Sequence, residues 1–511
     1  MITIFAARIV TLLLTAVRFD KRRSLSAAFR RRVAIPSTHG LHTLLALVLL
    51  TPCVSMSVNT TCAGERTDAA RAALPAELLE HIDDMCARIV FVREKDFVDE
   101  PKVVLTTRDQ MQEILLLDFD TDMPPERLQA VQKSLTKLGV VPEDFDLHKA
   151  LLKILTEQIA GGYDPRSRTL YLVDSWSTPV QRFVLSHELA HVLQDQHYDI
   201  MNMPLNDEHN DDLALVTRSL LEGEAMLVST RFLDLLPLSE RFALLLRLAS
   251  EGFAATGSFL GMSASLENAP LYIRETLLFP YLQGTLFITF AHAFDGWKAV
   301  DTLYTDMPQS TEQLLHPMKF FAKRDEPVVI NLPDLTDNLE GWRLLTWNIL
   351  GEFGTSLLLR SGEGCAPTAA ESSTQASHAA AGWGGDLYQV YEHIDGRLAV
   401  IWFSTWDTPT DASELHAALQ SALIRRYELE ELTERTAAEP PDANAADHDQ
   451  RDTQTWHHAP GHTIFLSRSG LDVLLVNGFD ADITTQIVQS IWDQVKKSTA
   501  RRPVAAEPVV Q

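Results

Sequence analysis

Cysteine is scarce in this chain: only Cys53, Cys62, Cys86 and Cys365 occur, and no two stand in a C-x-x-C spacing. That argues against a zinc site built from thiolates. A single bridge such as Cys86–Cys365 stays open if the chain is exported. Basic residues are also few, 44 Lys and Arg against 69 Asp and Glu, for a net charge of −25. A surface that acidic repels phosphate backbones, so no nucleic-acid partner is expected. Tandem repeats are lacking too.

What is present is ordinary for a soluble globular protein, with 46% hydrophobic and 22% charged residues. A chain of 511 residues exceeds one typical domain and can bury a sizeable core. The charge is unevenly spread. Residues 1–64 hold eight Lys or Arg against the single Asp20, a net of +7 that leaves −32 for the remainder. Arg30-Arg31-Arg32 precede the apolar run Leu41–Leu50, which is short for a bilayer span and suited to a signal segment. An earlier apolar run, Ile2–Val17, is interrupted by Arg8. "LLTPC" ends at Cys53 and is similar to a bacterial lipoprotein box, although Pro52 is unusual before a lipidated cysteine. The leader therefore predicts export to the cell envelope, with membrane association through Cys53 or an uncleaved segment. The alternative is a cleaved signal peptide that takes Cys53 with it.

Five stretches follow from composition: a leader over 1–64, a helix-rich domain over 65–360, a low-complexity linker over 361–381, a small α+β unit over 382–497 and a tail over 498–511. Residues 433–461, acidic and Pro-rich, read as a disordered insertion in the fourth. Helical spacing is visible at Pro125–Gly139, Leu147–Ala160, Leu213–Leu236, Glu240–Gly252 and Tyr281–Phe294. Strands are expected at Val103–Thr106 and Thr169–Val173, the latter after a Gly-, Asp- and Pro-rich turn from Gly161. The C-terminal unit predicts strand Leu398–Ser404, helix Asp411–Tyr427, strands His462–Ser467 and Leu471–Val476, and helix Ile483–Lys496. The fold class is α+β and mostly helical.

The chemistry concentrates in "VLSHELAHVLQDQHYD", Val184–Asp199. Thr178, Pro179 and Gln181 supply a helix start with an N-cap, a proline at the first position and a capping-box partner. On such a helix His187 and His191, four apart, project from one face and can grip one metal ion. Glu188 lies about 100° round and flanks the ion, as a base for a metal-activated water should. Zinc catalysis needs a third protein ligand and an open fourth position. "SLLEGEAML", Ser219–Leu227, offers Glu222 and Glu224, which point to different sides of a helix. Periodicity favours Glu224 slightly, since its neighbours at three and four positions are apolar. It leaves the two open as ligand or supporting carboxylate.

Glu-Gly-x-Ala on the helix after H-E-x-x-H is similar to the third-ligand signature of gluzincin metallopeptidases. That resemblance implies Glu222 as the ligand, although the spacer from His191 is longer here. More closely, the chain resembles little-characterised bacterial, often exported, gluzincin-like zinc metallopeptidases of clan MA. The stretches that carry the likeness are "GGYDPRSRTLYLVD", "HELAHVLQDQHYD", "LLEGEAML", "FPYLQGTLF", "STEQLLHP" and "AAAGWGGDLY", between Gly161 and Tyr388. It implies a gluzincin-like core, a Zn2+ cofactor and a peptide or protein substrate. His316 is the candidate to stabilise the tetrahedral oxyanion, against a plain helix-terminal histidine, with Tyr163 and Tyr281 as weaker candidates. Asp195 reads either as a support for a ligand imidazole or as a solvated helix-end carboxylate. His197 lies off the ligand face. "NDEHNDD", Asn206–Asp212, lacks the spacing of a calcium loop and reads as a helix-capping loop. Trp383-Gly384-Gly385-Asp386 reads as structural. Three functions are compatible with all this: an exported, membrane-associated zinc peptidase, a retired gluzincin fold serving as a binding or scaffolding module, and, less well supported, a zinc hydrolase acting on a non-peptide amide. The intact Glu188 favours the first.

Overall fold

The computed structural model describes residues 74–157, 161–173, 179–242, 264–335, 339–361, 369–429 and 451–499. All of them fall within the unit Leu44–Gln511. The leader, Cys53, Cys62, Cys365, Thr178 and most of Glu240–Gly252 lie outside the described residues.

The first half runs α1 (Ala76–Arg93), β1 (Lys102–Thr106), α2 (Arg108–Asp122), α3 (Pro125–Leu138), α4 (Leu147–Glu157), β2 (Gly161–Asp164), β3 (Thr169–Val173), α5 (Pro179–Tyr198), α6 (Asp211–Asp234), α7 (Leu271–Thr302) and the single turn α8 (Thr311–Leu315). Then come β4 (Val329–Asn331), β5 (Trp342–Asn348), α9 (Gly351–Arg360), α10 (Ala369–Ala380), β6 (Trp383–His393), β7 (Leu398–Trp406), α11 (Pro409–Tyr427), β8 (Asp452–Ala459), β9 (His462–Ser469), β10 (Asp472–Phe479), α12 (Ala481–Gln494) and β11 (Lys496–Ser498). The molecule is α+β and mostly helical, as expected.

Local signals set several helix ends. Thr107 caps α2 with a reciprocal bond to Gln110, and Gly139 ends α3 at φ 75°, a backbone conformation glycine adopts cheaply. Other expectations need correction. Gly161–Asp164 is not part of a turn: it is a strand paired antiparallel to β3, and all four residues are buried. The turn is confined to the next residues, where the Asp164 carboxylate accepts from the Arg166 and Ser167 amides. Most of the stretch read as a linker is helix, α10, and the end of the presumed insertion is strand β8. Helix α7 starts ten residues before Tyr281 and runs through Pro280. A proline there removes one helical hydrogen bond and normally argues for a break.

Two cores result. In the first, α1, α5, α6 and α7 pack with β1 and β3 around Ile82, Leu189, Leu193, Val216, Leu220 and Phe287. The second surrounds a six-stranded antiparallel sheet of order β5-β6-β7-β10-β9-β8. Val400, Trp402, Val473 and Leu475 face α11, whereas Ile401, Phe403, Leu474 and Val476 face α12. A sheet buried on both faces needs apolar residues at consecutive positions, which explains the unbroken run Ala399–Phe403. The α11 side is shared with α3 and α4, so the sheet and the helical half are joined through one cluster. β5 belongs to this sheet although it precedes α9 and α10.

Helices α6 and α7 touch backbone to backbone. A Cβ on Gly284 would stand 2.2 Å from the Ser219 carbonyl oxygen, and one on Gly223 would stand 2.3 Å from Gly284. The small residues around Glu222 thus admit α7. Glycine-to-alanine in an exposed helix gains roughly 0.5–1 kcal/mol, but here overpacking of about 1–3 kcal/mol outweighs that gain. Gly284→Ala should therefore lower the urea midpoint of unfolding, and an unchanged or raised midpoint would contradict this contact.

Candidate metal centre

Helical spacing on α5 sets His187 and His191 edge to face, with ring centroids 4.7 Å apart. Their Nε2 atoms face each other at 3.1 Å. Glu222 of α6 closes the group: its Oε2 is 3.1 Å from His187 Nε2 and 3.6 Å from His191 Nε2. All three residues are largely buried, and their ligand atoms can share one ion. The carboxylate and the imidazoles interact strongly. Burial opposes charge on both partners, yet Glu222 raises His191 to about 9. His191 and His187 in turn hold the Glu222 carboxyl down at about 2, against burial.

The tautomer of His191 is set by Gln194, one turn further on. Gln194 Nε2 donates to the Leu221 carbonyl at 2.9 Å, which only a donor can approach, and to the Tyr304 hydroxyl at 3.0 Å. Its Oε1 therefore faces His191 Nδ1 at 2.8 Å and accepts the proton there. In the neutral ring this leaves the Nε2 lone pair pointing into the group. Asp195 performs neither role expected of it. It is buried, and accepts from the Tyr163 hydroxyl at 2.7 Å and the Ile200 amide at 3.2 Å. His197 approaches the Asp96 carbonyl at 2.7 Å, away from the group.

Glu188 is wholly buried. Its Oε2 accepts the Tyr163 amide at 2.8 Å, while Oε1 has no hydrogen-bond partner among the described residues. Burial pushes its carboxyl up, and His187 and His191 pull it down less strongly. The hairpin β2–β3 therefore holds the candidate base through a backbone amide.

Glu224 points away from the two histidines. It pairs with the fully buried Arg93 of α1 and accepts the Tyr304 hydroxyl. Arg93 also reaches Asp301 and stacks 4.5 Å from the Trp297 ring. A continuous chain of contacts thus links His191 to Gln194, Tyr304, Glu224 and Arg93. Sequence reasoning missed Gln194, although its position three after His191 puts it on the ligand face. Arg93 carries no local signal at all.

His316 Nε2 lies 2.8 Å from Glu352, and the residues that line the cavity beside His191 and Glu222 do not include it. Tyr163 and Tyr281 do line that cavity, with His191 and Glu222, and the Tyr281 ring lies 6.4 Å from that of His187. The loop before α6 is the cap it was read as: Asn210 accepts the Leu213 amide at 2.9 Å. Trp383–Asp386 is structural, since Asp386 accepts from the Leu350 and Gly351 amides and from both Trp383 and Trp402 indoles. A second acidic cluster, Glu312, Asp325 and Asp407, surrounds the Lys319 ammonium, which supplies its positive charge.

One family model, described as Domain of unknown function (DUF8575), matches residues 344–488, which is the sheet region and excludes the His–His–Glu group. No curated protein and no solved structure gives a significant match.

The two acidic residues of α6 should separate by experiment. Glu222→Gln should release metal at a chelator concentration that leaves most of it on Glu224→Gln. Glu224→Gln should instead destabilise the fold by about 3 kcal/mol, because it strips a buried guanidinium of a charge partner. Gln194→Leu should weaken metal binding by about 10–100-fold through loss of the imidazole's orienting partner. Chelator competition and urea unfolding read these effects, and the reverse order for Glu222 and Glu224 would overturn the assignment.

Proposed function

We propose that this chain is a zinc-dependent peptidase of gluzincin type, exported and associated with the membrane through its leader or Cys53. The observation that carries the reading is the triangle of His187 Nε2, His191 Nε2 and Glu222 Oε2, with sides of 3.1, 3.1 and 3.6 Å. A tetrahedral ion bound at about 2.0–2.1 Å needs ligand atoms about 3.4 Å apart. Two imidazoles and one carboxylate are also a donor set that suits this borderline ion. Residues 1–64, basic and then apolar, support export.

His187, His191 and Glu222 would hold the zinc, and the Gln194 contact keeps the His191 lone pair available to it. When bound, the ion supplies an acidified water and polarises the peptide carbonyl. Glu188 takes the proton of the attacking water on Oε1, the oxygen that no described residue engages. It then delivers that proton to the leaving amine. The Tyr163 amide at Oε2 keeps the carboxylate from rotating away between the two transfers. Tyr281, beside His187 on the cavity wall, takes the oxyanion-stabilising role first considered for His316.

Full-length protein should contain about one zinc per chain by elemental analysis, given three protein ligands at one site. Glu188→Gln should retain that zinc and lose about 10²–10⁴-fold in peptide turnover, since only the base is removed. His187→Ala should lose both. Absence of zinc after reconstitution, or wild-type turnover by Glu188→Gln, would sink the proposal.

A further inference from the structure

Helix α7 carries Pro280 in its interior, and its backbone stays helical there; only Asp295 and Gly296 depart from helical dihedrals. Proline has no N–H, so the Thr276 carbonyl one turn earlier loses its helical donor, and the proline ring crowds that oxygen away from the helix. Thr276, Leu277, Pro280 and Tyr281 all line the cavity of about 250 Å³ beside His191 and Glu222. These four positions share one face of the helix, and the carbonyl at 276 points along that face towards 280. The displaced oxygen therefore lies on the cavity wall. A main-chain acceptor in such a place calls for a donor.

The acceptor is held in register with the metal group. Gly284, one turn after Pro280, lies against Gly223, the neighbour of Glu222: a Cβ on Gly223 would stand 2.3 Å from the Gly284 carbonyl carbon. Tyr281, next to Pro280, has its ring 6.4 Å from that of His187. Thr276 precedes Tyr281 by five positions, which is about 7.5 Å along a helix axis. An extended residue spans about 3.3–3.6 Å. Roughly two residues of a bound peptide therefore bridge the span from a carbonyl reacting beside Tyr281 to this acceptor. Other parts of the wall are apolar, including Phe119 and Met123 of α2 and Leu151 and Ile154 of α4. An apolar cavity of about 150 Å³ already accepts benzene, so this one has room for a side chain of leucine or phenylalanine size.

We infer that the Thr276 carbonyl accepts a backbone N–H of an extended peptide substrate, about two residues from the cleaved bond, and that a large apolar side chain of the same peptide fills the cavity. This rests on the peptidase reading and names what its site recognises. Pro280 is then a positioning residue: it acts through the carbonyl that it leaves open for the substrate.

The test uses full-length, zinc-loaded protein and an N-acetylated, C-amidated hexapeptide of alanine with one central leucine. A set of analogues replaces each backbone N–H in turn by an ester oxygen, which removes the donor and adds no bulk. Cleavage is mapped by product analysis, and binding is read by calorimetry on Glu188→Gln, with and without Pro280→Ala. One ester, about two residues from the cleaved bond, should weaken binding and raise KM by about 2–10-fold with little change in kcat, as loss of one neutral hydrogen bond does. Pro280→Ala, a change that a helix interior favours, returns an N–H to the Thr276 carbonyl. It should weaken binding of the parent peptide by the same factor and leave that ester analogue no further loss. The all-alanine hexapeptide should bind about 10-fold more weakly than the leucine one. Ester effects that are the same with proline or alanine at position 280, or equal binding of the alanine and leucine peptides, overturn the inference. If the ester and Pro280→Ala effects couple in binding but no peptide is cut, the carbonyl contact stands and the peptidase reading falls; turnover without that coupling does the reverse.

Discussion

A carboxylate wedged against two imidazoles in a buried helix interface is the constraint around which this structure is organised. Taking an ion out of water costs several kcal/mol unless strong partners compensate. Glu222 meets that cost with His187 and His191, and those rings can approach each other only because one helix carries them four residues apart. Everything nearby serves to keep that geometry: Gln194 sets a ring tautomer, Tyr163 holds Glu188 from the hairpin, and Arg93 draws Glu224 to the far side of α6.

The sheet half contributes through α6. The N-terminus of this helix is anchored by Asp212, whose carboxylate accepts the Thr311 amide at 3.0 Å and also takes the Thr311 hydroxyl. Nearby, Asp386 collects two amides and two indole N–H groups where β6 meets α9. Such fully satisfied buried carboxylates fix position more than they add stability. The matched domain of unknown function does not contain the candidate site; it meets the start of α6, where Asn348 Oδ1 accepts the Asp211 amide at 2.8 Å.

How much of this was legible in the sequence depended on whether the signal was local. The spacing of His187 and His191, the capping of α6, and the apolar runs of β7 and β10 are properties of short windows, and they folded as read. The choice between Glu222 and Glu224 was not local. Apolar neighbours correctly marked Glu224 as inward, but its inward partner is Arg93, 131 positions away. The partner of His316, Glu352, is likewise distant in sequence and lies on α9. Pro280 and the glycines of Gly161–Asp164 misled because local breakers were overridden by burial, in α7 and at a sheet edge respectively.

The central claim is that His187, His191 and Glu222 together form one metal site. X-ray absorption at the zinc edge, on full-length protein as purified, tests it most directly. The account predicts a first shell of nitrogen and oxygen at about 2.0–2.1 Å, with the multiple-scattering signature of two imidazoles and no sulfur. A shell containing sulfur at about 2.3 Å, a signature of three or more imidazoles, or no zinc at all would contradict it.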